Sequence, residues 1–130
     1  MIMEYITTKS KLRFNLFTSL ESKKTRDFVY NIYGTLSGGF LVDVMDRVAQ
    51  NRVIRKYPEY KYWFTSHIEN VKYNRKVCNV NTDVIIECFF EKIDKNKIKV
   101  STIMTDNNCR IICEGDFYFV GKDKNECEVA

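Results

Sequence analysis

The sequence predicts an α+β protein in which one long central helix is wrapped by a single curved antiparallel β-sheet. One segment has helical periodicity, and the later segments are rich in β-branched and aromatic residues separated by hairpin-turn residues. Because a single helix cannot bury its apolar stripe alone, the sheet is expected to curl around it. The 130 residues are expected to form one domain, 1–130, with roughly ten N-terminal and roughly eight C-terminal residues at its periphery.

The first predicted strand is residues 11–20. Leu12, Phe14 and Leu16 alternate there with polar residues, which is the period of a half-buried strand. The charged residues 21–27 predict a loop, and a turn-rich passage with three glycines then precedes the helical segment.

The predicted helix is residues 39–56, a segment without proline that Pro58 terminates. Beyond Asn51 the apolar pattern weakens, so the last turns are expected to reach solvent. On a helical wheel the apolar side chains form one continuous arc of Leu41, Val42, Val44, Met45, Val48, Ala49 and Val53.

Four strands are predicted after the helix, at residues 62–73, 80–92, 97–105 and 110–120, with hairpin turns at 94–96 and 106–108. Alternation predicts that two of these strands each direct one row of side chains into the core. The two predicted rows are Val84, Ile86, Cys88 and Phe90, and Ile98, Val100, Thr102 and Met104.

Composition narrows the function class. The hydrophobic fraction of 45% and the net charge of +4 are typical of a folded globular protein, and no apolar run approaches the length of a membrane span. The five cysteines are an odd number without zinc-site spacing, which indicates reduced thiols in a cytoplasmic protein and no metal. Cys109 and Cys113 are interpreted as core-facing strand residues.

Two aspartates on the predicted helix differ in their surroundings. Asp43 lies in the polar arc with Arg47 and Gln50, where a solvated helix face explains it. Asp46 lies at the border of the apolar arc, where partial desolvation disfavours the charged form and suits a carboxylate to base chemistry. Asp46 is therefore the stronger catalytic candidate.

A resemblance to a known family rests on residues 31–39, Asn-Ile-Tyr-Gly-Thr-Leu-Ser-Gly-Gly, followed on the same helix by Asp46. This passage resembles the signature of hotdog-fold acyl-CoA thioesterases, most closely the small "thioesterase superfamily member" type. The resemblance implies hydrolysis of fatty acyl-CoA to free acid and CoA, by a homodimer or a dimer of dimers. Coenzyme A is then part of the substrate, and no separate cofactor is expected.

The resemblance also implies roles for individual residues. Asp46 would be general base or nucleophile, Asn31 would orient the carbonyl or the water, and Gly38 would donate its N–H to an oxyanion. Free amides and the dipole at a helix N-terminus suit that last role. A strand hydroxyl would position the water, and both Thr65 and Ser66 are candidates.

For the coenzyme A moiety, the resemblance implies contacts from the β-hairpin around residues 94–96 and from two further positions. The chain departs from the family pattern at Ser37, where relatives carry His, and at residues 76–82, where a Pro and a Gly are missing. The expected coenzyme A contacts are Tyr73, Lys92, Lys95, Asn96, Lys97 and Val120.

Two other functions are compatible with the sequence. A hotdog protein could bind acyl-CoA without hydrolysing it. A small basic β-rich protein could bind RNA through Tyr60, Tyr62 and Trp63, although these aromatics are expected to pack in the core or at a subunit contact, so no nucleic-acid partner is predicted. His67, the only histidine, is expected to be packed or hydrogen-bonded rather than catalytic.

Overall fold

A computed structural model describes residues 7–13, 29–78 and 82–124 of the chain. The predicted order, one strand, one long helix and four further strands, is confirmed. The elements are β1 (Thr7–Arg13), α1 (Gly38–Lys56), β2 (Tyr62–Tyr73), β3 (Asp83–Asp94), β4 (Lys97–Asp106) and β5 (Ile111–Lys122).

The strands form one sheet in the order β1-β3-β4-β5-β2, and every neighbouring pair is antiparallel. β1 begins at Thr7 rather than at the predicted residue 11, because its pairing with β3 already starts at Thr7 opposite Phe89. Residues 14–20 and the predicted loop at 21–27 lie outside the described residues. None of the helical segments in the described ranges combines the length and the hydropathy that a bilayer crossing requires.

α1 begins where its sequence provides a cap. The Ser37 side chain accepts a hydrogen bond from the Phe40 N–H at 3.1 Å, which satisfies one of the amides that a helix N-terminus leaves unpaired. The helix ends at Lys56, two residues before Pro58, since proline cannot continue an α-helix. Ile54 in the last turn is 45% exposed, as expected for turns that leave the core.

The core lies between α1 and the concave face of the sheet. Its largest fully buried side chains include Met45 on the helix with Phe117 and Phe119 on β5. The two predicted rows on β3 and β4 are buried along their whole length, so the predicted strand faces are confirmed. Helix and sheet bury Phe40, Leu41, Val44, Met45, Ala49 and Val53 against Val84, Ile86, Cys88, Phe90, Ile98, Val100, Thr102 and Met104.

An aromatic cluster closes the core at the C-terminal end of α1. Trp63 is 2% exposed, and its indole Nε1 donates to the Tyr57 carbonyl at 2.9 Å. Tyr60 packs edge-on against Trp63 at 5.5 Å, and a Cβ at Gly121 would lie 2.7 Å from the Tyr60 ring. Trp63 and Tyr60 are therefore packing residues, and only Tyr62 of the three aromatics lies stacked on a surface neighbour, Phe64.

The edge strand β2 is irregular. Its register against β5 shifts between Thr65 and His67 and again between Glu69 and Lys72, so it contains two bulges. The first bulge places Thr65 and Ile68 on the same concave face, opposite the buried Phe119 and Phe117, although three positions separate them. Strict alternation does not predict the faces of this strand.

Of the two cysteines that were interpreted as core-facing, Cys113 lies on β5 and Cys109 in the turn between β4 and β5. Cys113 is buried, and burial raises its thiol pKa to about 11. Cys109 is exposed in the turn with a φ of 60°, so the interpretation is wrong for this residue. A turn residue in the left-handed region does not take part in strand alternation.

Candidate active site

Asp46 and Thr65 form the most distinctive polar contact between helix and sheet. The Thr65 Oγ1 donates to Asp46 Oδ1 at 2.6 Å. Burial raises the pKa of the Asp46 carboxyl above its ordinary value and the nearby charge of Asp43 adds to this, whereas the Thr65 hydrogen bond and Arg47 lower it. The result is a half-buried carboxylate with one oxygen held by a neutral donor, which suits a general base.

The structure separates the two candidate hydroxyls. Ser66 is exposed and its Oγ donates to the Tyr118 carbonyl at 3.1 Å, on the convex side of the sheet. Only Thr65 contacts Asp46. Ser66 lies in the first bulge of β2, between Thr65 and His67, and Thr65 is the residue that faces the helix.

Asp43 has a different partner. Arg47 Nε donates to its carboxylate at 3.0 Å, one helical turn away. The Asp43 side chain is 36% exposed and that of Arg47 is 65% exposed, so the pair is a solvated surface contact. The predicted difference between Asp43 and Asp46 is confirmed in their surroundings.

The N-terminus of α1 presents two amides to its surroundings. Ser37 accepts from the Phe40 N–H through its side chain and from the Leu41 N–H through its carbonyl. In the part of the chain that the structure describes, no acceptor contacts the N–H of Gly38 or Gly39. These amides lie in the first turn, where the helix dipole is positive.

Tyr73 lies directly over this helix end. A Cβ at Gly38 would lie 2.8 to 2.9 Å from the phenol end of the Tyr73 ring, so glycine permits the close approach. Burial, followed by the charge of Cys113, raises the pKa of the Tyr73 hydroxyl. Tyr73 is 55% exposed, which leaves its outer face accessible.

Asn31 uses its carboxamide within its own loop. Its Oδ1 accepts from the Tyr33 N–H at 2.9 Å and from the Thr35 N–H at 3.2 Å, while its Nδ2 donates to Thr35 Oγ1 at 2.7 Å. Gly34 completes this turn with a φ of 75°. Asn31 therefore shapes the loop before α1, as a turn-forming asparagine does.

An open cavity of about 870 Å³ joins three of the predicted site residues, Asn31, Gly38 and Tyr73. Its rim carries three basic side chains that sequence analysis did not single out: Arg75, Lys76 and Arg110. The Arg110 Nε donates to Asp106 Oδ2 at 2.9 Å, whereas Arg75 and Lys76 are exposed. The cavity thus combines helix amides with positive charge.

Asp46 is not among the residues that line this cavity. It is eight residues beyond Gly38 on the same helix, which corresponds to about 12 Å along the axis. An attacked carbonyl lies within about 3.5 Å of its nucleophile and about 3 Å of its oxyanion donors. Even with one water between the carboxylate and the carbonyl, these contacts span about 9 Å, less than the rise between the two residues, which favours an amide and a carboxylate from different chains.

The predicted coenzyme A contacts fall into two groups. Tyr73 pairs with Cys113 at one end of the sheet, and Lys97 pairs with Val120 at the other. The two rows are about 23 Å apart along β5, from the usual rise per strand residue. The second group surrounds the β3–β4 hairpin and consists of Lys92, Lys95, Asn96, Lys97 and Val120.

Some residues of the hairpin group already contact other residues of the chain. The Lys92 ammonium lies 6.0 Å from the centre of the Tyr57 ring, and Asn96 exchanges hydrogen bonds with Gly121. Lys95 and Lys97 are exposed and carry charge at the tip.

Gln50 is a residue that sequence analysis missed. The helical wheel assigned it to the solvated polar arc, which is wrong, because its Nε2 donates to the Trp63 carbonyl at 2.8 Å. A long amide side chain at the border of an arc can reach across to a neighbouring strand, which a wheel does not represent.

His67 is packed and hydrogen-bonded, as expected. Its ring stacks on Tyr118 at 4.1 Å, and its two nitrogens lie 3.2 Å from Ser66 Oγ and 3.4 Å from Glu69 Oε1. The Ser66 hydroxyl is already donated to the Tyr118 carbonyl, on the face opposite Asp46. This group does not extend the candidate site.

Comparison with known proteins identifies the fold. No family model matches the sequence, and no curated protein matches it. Solved structures do match: yhdA of Lactococcus lactis, provisionally named a thioesterase, has a TM-score of 0.71 at 17% identity and covers 92% of this chain and 84% of its own. The chain has the hotdog fold, which confirms the predicted fold class.

Two further solved structures have the same architecture. Zebrafish thioesterase superfamily member 2 has a TM-score of 0.65 at 14% identity, covering 88% of this chain and 75% of its own. A Streptococcus mutans protein bound to acetyl CoA has a TM-score of 0.68 at 13% identity, covering 97% of this chain and 89% of its own.

Proposed function

We propose that this chain is an acyl-CoA thioesterase that hydrolyses fatty acyl-CoA to the free acid and CoA. The observation that carries the proposal is the 2.6 Å hydrogen bond from Thr65 to a half-buried Asp46. Packing alone does not explain a carboxylate in that position, because partial burial removes water from the charge and so destabilises it. The acetyl CoA bound to the structurally similar Streptococcus mutans protein supports this substrate class.

Asp46 acts as the general base in the proposed reaction. With Oδ1 bonded to Thr65, Oδ2 accepts a proton from a water that the Thr65 oxygen also orients. The water oxygen bonds to the thioester carbon, the C–S bond breaks, and the thiolate of CoA takes up a proton from Asp46. Direct attack by Asp46 through an anhydride is the variant in which the same carboxylate is nucleophile.

The oxyanion is stabilised by the helix N-terminus of a second copy of the chain, with Gly38 N–H as donor. β2 is at the sheet edge, and its Phe64, Ile68 and Tyr73 are partly exposed. Two-fold antiparallel pairing of β2 with its copy brings the Thr65 half of one strand to the Tyr73 end of the other. Asp46 of one protomer then approaches the Gly38 amide of its partner.

The same pairing unites the two groups of coenzyme A contacts. Tyr73, Arg75 and Lys76 of one protomer come toward the partner's hairpin, where Lys95 and Lys97 are exposed. The lysines in this set match the phosphates of coenzyme A as point charges, and the Arg75 guanidinium matches them as a bidentate donor. A dimer, or a dimer of dimers, is therefore the proposed functional unit.

A hotdog protein that binds acyl-CoA without turnover is the second candidate. The observation that favours it is Asn31, whose carboxamide is engaged by Tyr33 and Thr35 rather than directed into the cavity. An acyl-CoA binder needs the cavity and its basic rim but not the Asp46–Thr65 pair.

A hydrolysis assay separates the two candidates. Free thiol is detected over short and long acyl-CoA substrates, and CoA binding is measured by calorimetry on the same preparation. We expect turnover that depends on chain length. Measurable CoA binding with no thiol release on any chain length would instead assign the chain as a binder.

Thr65→Val tests the hydrogen bond to Asp46. The bond lowers the Asp46 pKa, so its loss raises that pKa and leaves less of the basic form at a given pH. We expect the acidic limb of the kcat/KM profile to move to higher pH, with kcat reduced by about tenfold or more. Ser66→Ala is the matched control and should leave the profile unchanged; an equal shift in both variants would reject Thr65.

A further inference from the structure

Two side chains on successive turns of α1 bond to the edge strand. Asp46 accepts from the Thr65 hydroxyl, and Gln50 donates to the Trp63 carbonyl at 2.8 Å. Gln50 is partly buried, and it is the next helical position on the same face as Asp46. The two bonds therefore connect the same helix face to the same strand.

The spacing of these bonds matches on both elements. Four helical residues advance about 6 Å along the axis, and two strand residues advance about 6.6 Å. The earlier helix residue, Asp46, bonds to the later strand residue, Thr65, and Gln50 bonds to Trp63. Helix and strand are therefore antiparallel here, and the two hydrogen bonds are neighbours along them. Either hydrogen bond therefore fixes the position of the strand along the helix at which the other one forms.

The backbone pairing of β2 does not fix the position of Thr65 by itself, so a second contact with the helix is needed. The strand has only β5 as a neighbour within the described sheet, and the register shifts immediately after Thr65. A bulge lets the adjoining residues move relative to the ladder. On the side of Thr65 away from the bulge, two residues earlier, the Gln50–Trp63 hydrogen bond holds the strand to the helix.

We propose that Gln50 is a positioning residue, which holds the start of β2 against α1 so that the Thr65 hydroxyl lies on Asp46. Its catalytic consequence rests on the proposed function, whereas the positioning itself does not. Gln50 acts through a backbone carbonyl, so the Trp63 side chain does not carry the effect.

Gln50→Met tests the proposal with nearly unchanged side-chain length and helix propensity. We expect kcat to fall by roughly tenfold, with KM little changed and the acidic limb of the pH profile moved to higher pH, in the same direction as in Thr65→Val. Asn51→Ala, an exposed amide at the next position, is the control and should leave both unchanged. In the double variant with Thr65→Val the effects should not add, because both substitutions act through the same Thr65–Asp46 contact.

Carboxyl carbon NMR titration of Asp46 gives a readout that does not require activity. The charged groups that act on Asp46 are Asp43 and Arg47 on α1, and Thr65 faces it from β2. We expect Gln50→Met and Gln50→Glu, which both lack the amide donor, to weaken the Thr65 bond. Gln50→Met, which adds no charge, should raise the Asp46 pKa.

An Asp46 titration that moves in Thr65→Val but not in Gln50→Met would overturn the positioning role. If the wild type releases no thiol from any acyl-CoA, yet Gln50→Met shifts the titration, the proposed function fails and the positioning role stands. Additive effects in the double variant would also overturn the proposal.

Discussion

Replacing Asp46 with asparagine is expected to lower kcat for acyl-CoA hydrolysis by about 10²- to 10⁴-fold, the usual contribution of a general base. The amide oxygen of asparagine can still accept from Thr65, so the local geometry survives while the base is lost. Free-thiol release gives kcat and KM, and calorimetry gives CoA affinity, which should change little.

The same substitution should not weaken the fold. Burial raises the Asp46 pKa, so the native state binds the proton more tightly than the unfolded chain. The free energy of unfolding therefore falls as pH rises from the unfolded-state pKa of this carboxyl through its raised native pKa. A neutral asparagine removes that penalty, and a thermal midpoint equal to or above that of the wild type is expected at neutral pH.

Asp43→Asn is the matched control for this prediction. Asp43 lies one turn away in an exposed pair with Arg47, whose removal costs little. Comparable loss of turnover from both variants, or from neither, would contradict the assignment of Asp46.

Trp63→Ala is expected to reduce the free energy of unfolding by about 3–5 kcal/mol, the range for deleting a buried aromatic side chain. The indole is 2% exposed, packs on Tyr57 and Tyr60, and donates to the Tyr57 carbonyl. Denaturant unfolding at fixed protein concentration measures the change.

Tyr62→Ala is the control for the loss of an aromatic ring from the same strand. Tyr62 is only partly buried and stacks on the exposed Phe64, so its removal should cost about 1 kcal/mol, within the range for one aromatic pair. Equal losses in the two variants would mean that Trp63 does not close the core as described.

The sequence predicted the helix and the last four strands because their patterns are local. Helical periodicity separated Asp46 from Asp43, and alternation identified the buried rows on β3 and β4. These features depend on side-chain spacing within one element, which the chain displays directly.

The remaining features depend on contacts between elements. Thr65 and Ser66 could not be separated because β2 has two bulges after Thr65, which arise from its pairing with β5. Gln50 was assigned to solvent because a wheel contains no neighbouring strand. The wide separation of Tyr73 from Lys97 follows from the antiparallel order of the strands, which residue composition does not encode.

Mixing two inactive variants tests the shared site most directly. Asp46→Asn removes the proposed base, and Gly38→Pro removes the proposed amide donor at the first helical position, where proline is tolerated. Ser37, with φ −68° and ψ 147°, already has the backbone conformation that precedes proline. The half-exposed Tyr73 ring can move aside.

In a mixed dimer of the proposed kind, one of the two sites combines the unmutated Asp46 of one chain with the unmutated Gly38 of the other. Random assortment from equal amounts, by co-refolding, should therefore restore about a quarter of wild-type thiol release. A mixture that stays as inactive as either variant alone would show that the carboxylate and the helix amide do not meet across two chains.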